Sequence, residues 1–477
     1  MSFFEKHKII SSKQFGFLRN HSTEHAILDL KEFITHSLSM KKIAGVLFLD
    51  LKKAFDTVSH DILLRKLTHY GIRGLPHELI SSYLYQRKQF TIIEGIRSDL
   101  EVVRWGVPQG SVLGPLLFLL FINDLPNSCD LSSWLFADDT ALAASSENFQ
   151  DLQLRMNREI DKVQNWLFAN KLSVHYAKKT QYILFVPPSK AKDKPNDFTI
   201  DMGGNIIEQT ESYKYLGVMI DEKLSWKPQI ENMCSKLASV CGILSKVRYV
   251  LDRNSLMLLY NSLIESRLRY GILSWSTASN KLIDRLKVLQ NRALRYIDFS
   301  PIGTTILPIY AQFKVLPLEQ LIDLQRANYM FSFCNNLLPS TFSSYCSKPT
   351  HRYETRYSKT NYAVPKHYSR ITETSIKVIG PKIWADVPNK IKHLPFRKTF
   401  SKHMKNLYLD KLPKTKRTKE LHLEKKVVKS HSSTLELENI FQDSDNDETF
   451  YGFTLELKDI FCNSDNDETF YGFDALK

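Results

Sequence analysis

Two adjacent acids constrain this chain of 477 residues more than any other feature. Asp138 and Asp139 lie between two apolar runs, residues 131–136 and 140–144, which predicts a β-hairpin with both carboxylates at its tip. Neighbouring like charges repel, so this placement does not serve stability. A divalent cation removes the repulsion, and carboxylate oxygens are ligands that Mg²⁺ binds in proteins. The pair therefore predicts a metal site that requires a third carboxylate from elsewhere in the chain.

A candidate for the third carboxylate lies in an earlier apolar run. Residues 45–51 are predicted to form a short buried strand that contains Asp50. An acid among apolar residues costs free energy unless it has a partner. Considered alone, Asp50 is explained equally well as a polar cap at the strand end, but beside the acidic pair a metal ligand is the better interpretation. Three carboxylates suit a site for two Mg²⁺ ions, with Mn²⁺ as an alternative and the main-chain carbonyl of Leu51 as a further ligand.

The loop of residues 106–111, Gly-Val-Pro-Gln-Gly-Ser, has the features of a nucleotide contact. Gly110 allows the backbone to approach a ligand closely, and Pro108 stiffens the loop. A nucleotide on this loop would place Gln109 against its sugar and base.

Two further side chains are predicted near the same nucleotide. Phe55 follows Asp50 by five residues, and a bulky ring there would collide with a 2′-hydroxyl and select deoxyribonucleotides. Lys179 follows a long predicted helix and would lie near the triphosphate, where it could donate a proton to the leaving group.

Charge and composition indicate a polyanionic partner. The net charge is +14, but residues 434–473 carry −10, which leaves +24 on the first 433 residues. Such a surplus favours nucleic acid as the partner. The six cysteines form no C-x-x-C pair, which is typical of a reducing compartment. The first residues lack a signal-peptide core, and the longest apolar run, 112–122, is too short to span a bilayer, so we expect an intracellular protein of the nucleus or cytoplasm without a membrane partner.

Apolar periodicity predicts long helices on either side of these motifs. Residues 21–40 form one predicted helix, capped by Ser22 or Thr23, and nothing precedes it against which it could pack. Residues 146–169 form another, capped by Ser146, and helices dominate after Trp226. Residues 434–453 and 454–473 repeat each other almost residue for residue, which indicates a duplicated acidic segment.

Several motifs in succession resemble those of reverse transcriptases, most closely those of non-LTR retrotransposons of the jockey or CR1 type. They are Phe-Leu-Asp-Leu-Lys-Lys-Ala-Phe-Asp at 48–56, Gly-Val-Pro-Gln-Gly-Ser at 106–111 and Phe-Ala-Asp-Asp at 136–139. Residues 14–17 with Ser22 and Thr23 resemble the fingers motif of that family. The segment 171–185 resembles its lysine motif, and residues 215–218 resemble its primer grip.

The resemblance implies an α+β right-hand polymerase, with an antiparallel-sheet palm backed by helices, partial fingers, an α-helical thumb and a C-terminal helical region. It implies an enzyme that copies an RNA template into DNA from a DNA primer and dNTPs. By resemblance, Asp50, Asp138 and Asp139 are metal ligands, Phe55 is the sugar gate, Gln109 contacts the nucleotide, and Leu216 with Gly217 holds the primer. The implied regions are fingers 1–45, palm 46–221, thumb 222–300, C-terminal helical region 301–410, basic linker 411–433 and disordered acidic tail 434–477.

Some features depart from the pattern of that family. The basic triphosphate contacts of the fingers and an endonuclease are expected upstream, which predicts a truncated copy in which Arg19 is the remaining contact of that kind. His175 stands where the family usually has Asn, and the gap from there to Lys179 is one residue longer. The alternatives are an RNA-dependent RNA polymerase and a non-catalytic nucleic-acid-binding remnant of the same fold. The sequence leaves the oligomeric state undetermined.

Overall fold

The computed structural model describes residues 2–176, 179–349, 360–366 and 370–413. These residues belong to a compact unit that extends from Met1 to Lys416. The predicted acidic tail of residues 434–477 lies outside the described residues, as does the predicted basic linker apart from residues 411–413. Neither prediction is therefore tested.

A six-stranded sheet forms the centre of the described unit. Its strand order is β6-β7-β1-β8-β10-β9, and it is antiparallel except for the parallel pair of β8 and β10. β1 lies inside the sheet between β7 and β8, and all seven of its residues are buried. This agrees with the apolar run predicted over residues 45–51. The described strands are β1 (Ile43–Leu49), β2 (Lys88–Gln89), β3 (Ile92–Ile93), β4 (Ile96–Arg97), β5 (Glu101–Val102), β6 (Ser132–Phe136), β7 (Asp139–Ser146), β8 (Gln181–Phe185), β9 (Ile200–Met202), β10 (Asn205–Gln209), β11 (Ser212–Tyr215) and β12 (Val218–Asp221).

Helices surround this sheet, and among the described residues after β12 every regular element is helical. Those before β12 are α1 (Ser2–Lys6), α2 (Thr23–Ser39), α3 (His60–His69), α4 (Leu75–Leu84), α5 (Leu113–Ile122) and α6 (Phe149–Ala169). Those after it are α7 (Lys227–Val247), α8 (Arg253–Tyr260), α9 (Ser266–Arg269), α10 (Ile272–Trp275), α11 (Asn280–Asp298), α12 (Leu307–Phe313), α13 (Leu318–Cys334), α14 (Arg370–Glu373), α15 (Ile376–Asp386), α16 (Asn389–Lys392) and α17 (Arg397–Asp410). In the part of the chain that is described, no helix combines the length and the apolarity that a membrane span requires.

The long helix α6 packs one face against the sheet, as its apolar spacing predicts. Leu152, Met156 and Ile160 are buried against the strands. The prediction that Ser146 caps this helix is wrong. Ser146 is the last residue of β7, and the side chain of Asn148 accepts the hydrogen bond from the Asp151 amide. Serine and asparagine are both favourable N-cap residues. Asn148 is the cap because Ser146 is still part of the strand.

The helix α2 buries polar and charged residues as well as its apolar face. Ser22 caps it as predicted, with its hydroxyl accepting from the His25 amide at 3.3 Å. Its buried residues include the charged Lys31 and Glu32 as well as the apolar Ile27 and Leu30. The sequence offered no preceding element against which it could pack, and in the structure the sheet and the helices α10 and α14 contact it. Its partners come from later in the chain.

Candidate active site

The hairpin of β6 and β7 carries two acids at its tip, as predicted. Phe136 pairs with Asp139, so Ala137 and Asp138 form a two-residue turn. Ala137 has a φ of +56°, a backbone conformation that residues with a Cβ rarely adopt. Two-residue hairpin turns need positive φ in the loop to match the twist of the strands. The turn therefore projects Asp138 and Asp139 from the end of the sheet at the cost of local backbone strain.

The strand register brings Asp50 to the same end of the sheet. β1 pairs with β7 antiparallel, and its last residue, Leu49, lies opposite Thr140. The next residue, Asp50, is consequently at the position that faces Asp139. The Asp50 amide donates to the hydroxyl of Thr180 at 3.2 Å, and the Asp50 carbonyl accepts from the His175 amide at 2.8 Å. These two bonds hold the acid in place after the strand has ended.

The three carboxylates influence each other electrostatically. Loss of hydration raises the pKa of Asp139 to about 6, and the charges of Asp138 and Asp50 add to this increase. Loss of hydration, with a smaller contribution from Asp50, also raises the pKa of Asp138. Loss of hydration is thus the main cause for both acids, and the unneutralised charge of the neighbouring carboxylates adds to it. Such a site attracts a cation.

Lys179 supplies part of that compensation. Its Nζ lies 3.7 Å from Oδ2 of Asp50, and its side chain is otherwise largely exposed. The preceding segment pairs with the chain after β1 through a bridge between Leu51 and Val174. The hydrogen bonds beside that bridge are made by the residues next to Leu51, so the bridge does not occupy the Leu51 carbonyl. The structure thus brings Lys179 and Leu51 to the acids.

The donor set fits a divalent cation in its chemistry. It consists of hard carboxylate oxygens whose mutual repulsion a cation relieves, and an ammonium group already lies against one of them. Within the described ranges, however, no three acidic, histidine or cysteine side chains converge closely enough to hold a metal ion as they stand. The carboxylates would have to draw together around an ion.

Phe55 and Gln109 lie on two segments that are joined to each other. The Val107 amide donates to the Phe55 carbonyl at 2.8 Å, and Nε2 of Gln109 donates to Oδ1 of Asp56 at 3.0 Å. The ring of Phe55 stacks on that of Phe118, with ring centroids 4.4 Å apart. Both predicted nucleotide contacts are therefore positioned by the same turn after β1.

The hairpin of β11 and β12 turns at Leu216 and Gly217, within the segment that resembles the primer grip. Both residues have positive φ, +46° and +80°. The hydroxyl of Tyr270 donates to the Leu216 carbonyl at 2.7 Å and so ties this turn to the helices that follow. Tyr213 stacks on Phe48 of β1 with centroids 4.3 Å apart, which anchors the hairpin beside the strand that leads to Asp50.

Arg19 does not contact the group of three acids. It is solvent-exposed in the turn before α2, and its carbonyl lies 2.7 Å from Nδ1 of His21. The structure shows no contact between Arg19 and the three acids.

Sequence reasoning missed four residues that position the site: Gln14, Asp56, Thr180 and Tyr270. Asp56 and Thr180 lie within motifs that were singled out, so closer attention to polar side chains there would have found them. Tyr270 lies in a helical region without any such signal, because its role depends on a contact with a residue 54 positions earlier.

Comparison with known proteins identifies the class. Residues 2–220 match the family described as "Reverse transcriptase (RNA-dependent DNA polymerase)". This segment contains the sheet, the three acids and the hairpin of β11 and β12. Residues 2–220 therefore carry a reverse transcriptase domain, to which the six-stranded sheet and the helices α1 to α6 belong.

The relatives found are RNA-directed DNA polymerases of transposable elements. The chain is 28% identical over 350 residues to "Probable RNA-directed DNA polymerase from transposon BS" of Drosophila melanogaster, with 68% of this chain and 36% of that protein covered. It is 28% identical over 310 residues to "RNA-directed DNA polymerase from mobile element jockey" of the same species, covering 62% of this chain and 32% of the relative. These findings confirm the resemblance predicted from the motifs, and the chain spans about a third of the length of these relatives.

A likeness was also found to a solved structure of apo telomerase from Candida tropicalis. The identity is 12%, the TM-score is 0.37, and 65% of this chain and 51% of that chain are covered.

Proposed function

We propose that this chain is an RNA-directed DNA polymerase that extends a DNA primer on an RNA template with dNTPs. The observation that carries the proposal is the meeting of Asp50 with Asp138 and Asp139 at one end of the sheet, inside a reverse transcriptase domain. The carboxylates lie at the ends of different strands, so the fold brings them together. Nucleotidyl transfer with two metal ions needs carboxylates grouped in this way.

The side chains of Asp50, Asp138 and Asp139, with the Leu51 carbonyl, would hold two divalent ions, Mg²⁺ or Mn²⁺. When bound, these ions would lower the charge on the attacking and leaving oxygens. Lys179 would orient the triphosphate from the other side of Asp50 and donate a proton to the leaving oxygen. Gln109 would contact the sugar and base, with Arg19 as a further triphosphate contact.

The ring of Phe55 would exclude the 2′-hydroxyl of a ribonucleotide. Leu216 and Gly217 would support the primer end, because their hairpin is anchored beside the strand that leads to Asp50. We further propose that residues 1–45 are partial fingers, 46–221 the palm, 222–300 the thumb and 301–410 a C-terminal helical region.

Primer extension on an RNA template with dNTPs and Mg²⁺ tests the proposal. Asp138→Asn should reduce incorporation about a thousandfold or more, because loss of a metal ligand removes several kcal/mol of transition-state stabilisation. The matched control is Asp161→Asn, which removes an exposed carboxylate on α6 and should leave incorporation unchanged.

Two outcomes would contradict the proposal. One is incorporation by the Asp138→Asn protein at the rate of the unsubstituted chain. The other is salt-sensitive RNA binding by the unsubstituted chain without incorporation, which would favour a non-catalytic nucleic-acid-binding remnant.

A further inference from the structure

A short segment before α2, residues 13–16, lies along the edge strand β6 and ends beside the turn of Ala137 and Asp138. The Phe15 amide donates to the Leu135 carbonyl at 2.7 Å, and the Leu135 amide donates to the Lys13 carbonyl at 2.9 Å. This pairing extends β6 by a parallel bridge between Gln14 and Leu135. It brings residues 13–16 alongside the turn that begins at Ala137, two residues after Leu135.

The side chain of Gln14 bonds to the turn itself. Gln14 is 1% exposed, and its Oε1 accepts hydrogen bonds from the Gly16 amide at 2.8 Å and from the Ala137 amide at 3.2 Å. The other end of the amide, Nε2, is buried and has no hydrogen-bond partner among the described residues. The backbone N–H groups of Gly16 and Ala137 both need an acceptor. The side-chain amide of Gln14 therefore points its oxygen at them, although its own NH₂ group is then left without a partner among the described residues.

Gly16 makes this approach possible. A Cβ at position 16 would lie 2.6 Å from the Ala137 nitrogen and 3.1 Å from the carbonyl carbon of Phe136. Any side chain would therefore push the segment away from the turn. The backbone of Gly16 and the amide of Gln14 contact the same peptide group, the one that joins Phe136 to Ala137.

Ala137, which follows that peptide group, is the strained residue of the turn. It holds a φ of +56°, a conformation that is unfavourable for a residue with a Cβ. A buried hydrogen bond to its amide offsets part of that strain. In its absence, the turn would gain alternative conformations that move both carboxylates.

We propose that Gln14 is a positioning residue, which holds the Ala137–Asp138 turn in the conformation that presents Asp138 and Asp139 to divalent ions. Gly16 serves the same role by permitting the close approach. The inference rests on the proposed function for its catalytic meaning, but its structural content can be measured without any polymerase activity.

Hydrogen exchange at the Ala137 amide is the direct test. In the intact chain this amide is bonded to Gln14 and should exchange slowly. Gln14→Met fills the same volume without an acceptor and should speed exchange at Ala137 about tenfold or more, the equivalent of one lost hydrogen bond. Gln14→Glu keeps an acceptor oxygen and should restore protection. Unchanged exchange in the Met variant would overturn the proposal.

Binding of Mn²⁺, followed by electron paramagnetic resonance, is the second readout. Gln14→Met and Gly16→Ala should each weaken binding about 10- to 100-fold, the usual effect of removing a group that orients a ligand. The matched control is Gln290→Met, since Gln290 is also fully buried and bonded, to Tyr260 and the Leu316 carbonyl, but lies between later helices.

Equal weakening by the Gln290 variant would overturn the proposal, because it would show a general loss of stability. If Gln14→Met does not fold, Gly16→Ala tests the same contact from the other side. A chain that incorporates no nucleotide but shows these changes would contradict the proposed function and leave the role of Gln14 standing.

Discussion

Phe55 is held in place by the protein core and not by the proposed substrate. Its ring stacks on Phe118, which is fully buried in α5, and packs at the margin of the main hydrophobic core. A ring fixed in this way cannot easily swing aside for a larger sugar, because the rotamers around it are set by close packing. This rigidity is what a steric gate requires.

Phe55→Ala should therefore increase the incorporation of ribonucleotides relative to deoxyribonucleotides by about 10- to 200-fold, the range that pocket shape contributes to selectivity. Single-nucleotide extension with matched dNTP and NTP pairs measures it. Phe118→Leu serves as the control, since it removes the stacking partner but keeps the ring at position 55. Equal loss of discrimination in both variants would show that loosened packing, and not the missing ring, is responsible.

At the scale of elements, two hairpins follow the same construction. Each ends in a two-residue turn in which a residue with a Cβ has positive φ, Ala137 in one and Leu216 in the other. Each turn is tied down by a side chain from a distant part of the chain, Gln14 or Tyr270. Strained turns persist where surrounding contacts determine them, and such turns concentrate at functional sites.

Gly217 in this turn can be tested against Gly204, which serves as a matched control. Gly217 and Gly204 have nearly the same φ, +80° and +79°, but a Cβ at Gly217 would meet the Tyr270 ring at 3.2 Å whereas one at Gly204 would meet nothing within 4 Å. Both Ala substitutions should cost about 1 kcal/mol of unfolding free energy from backbone strain.

The Gly217→Ala protein should lose additional stability and should extend primers less far before dissociating. Urea unfolding and the length distribution of extension products measure the two effects. Indistinguishable behaviour of the two variants in both assays would contradict the assignment of this turn to the primer.

At the scale of the whole described unit, a buried ion pair joins the first long helix to the helices near residue 375. Lys31 and Glu32 are each about 2% exposed, and Nζ of Lys31 donates to the Thr374 carbonyl at 2.7 Å. Glu32 accepts from the Ile376 amide at 2.9 Å and also bonds to the hydroxyl of Ser375. Burial lowers the pKa of Lys31, against the effect of its partner. The helical region after residue 300 is thus part of what holds α2 in place.

Glu32→Ala should destabilise the chain by about 3–5 kcal/mol, because it leaves the Lys31 ammonium buried without its counter-charge. Urea unfolding followed by circular dichroism measures this loss. Glu231→Ala is the control, since Glu231 pairs with Lys227 and Arg285 at an exposed site and should cost at most about 1 kcal/mol. A similar loss in both variants would show that the buried pair has no special role.

Local patterns were enough for most elements and for singling out the acids. Apolar spacing predicted α2 and α6 to within a few residues, and two acids between apolar runs predicted the β6–β7 hairpin. The helical region predicted after Trp226 is interrupted by a turn of π-helix over Asn261–Glu265 and by Gly271, which has a φ of +63°. Neither interruption has a periodic signal, because packing against neighbouring helices selects it.

By itself, the sequence predicted which residues would carry the chemistry and determined which segments bury an apolar face, since charge, residue type and periodicity are local properties. Tertiary structure alone decided how those residues are held. Gln14 reaches Ala137 over 123 positions, Tyr270 reaches Leu216 over 54, and Glu32 reaches Ile376 over 344. A single polar side chain has no period, so its partner becomes defined only when strand register and helix packing bring distant segments together.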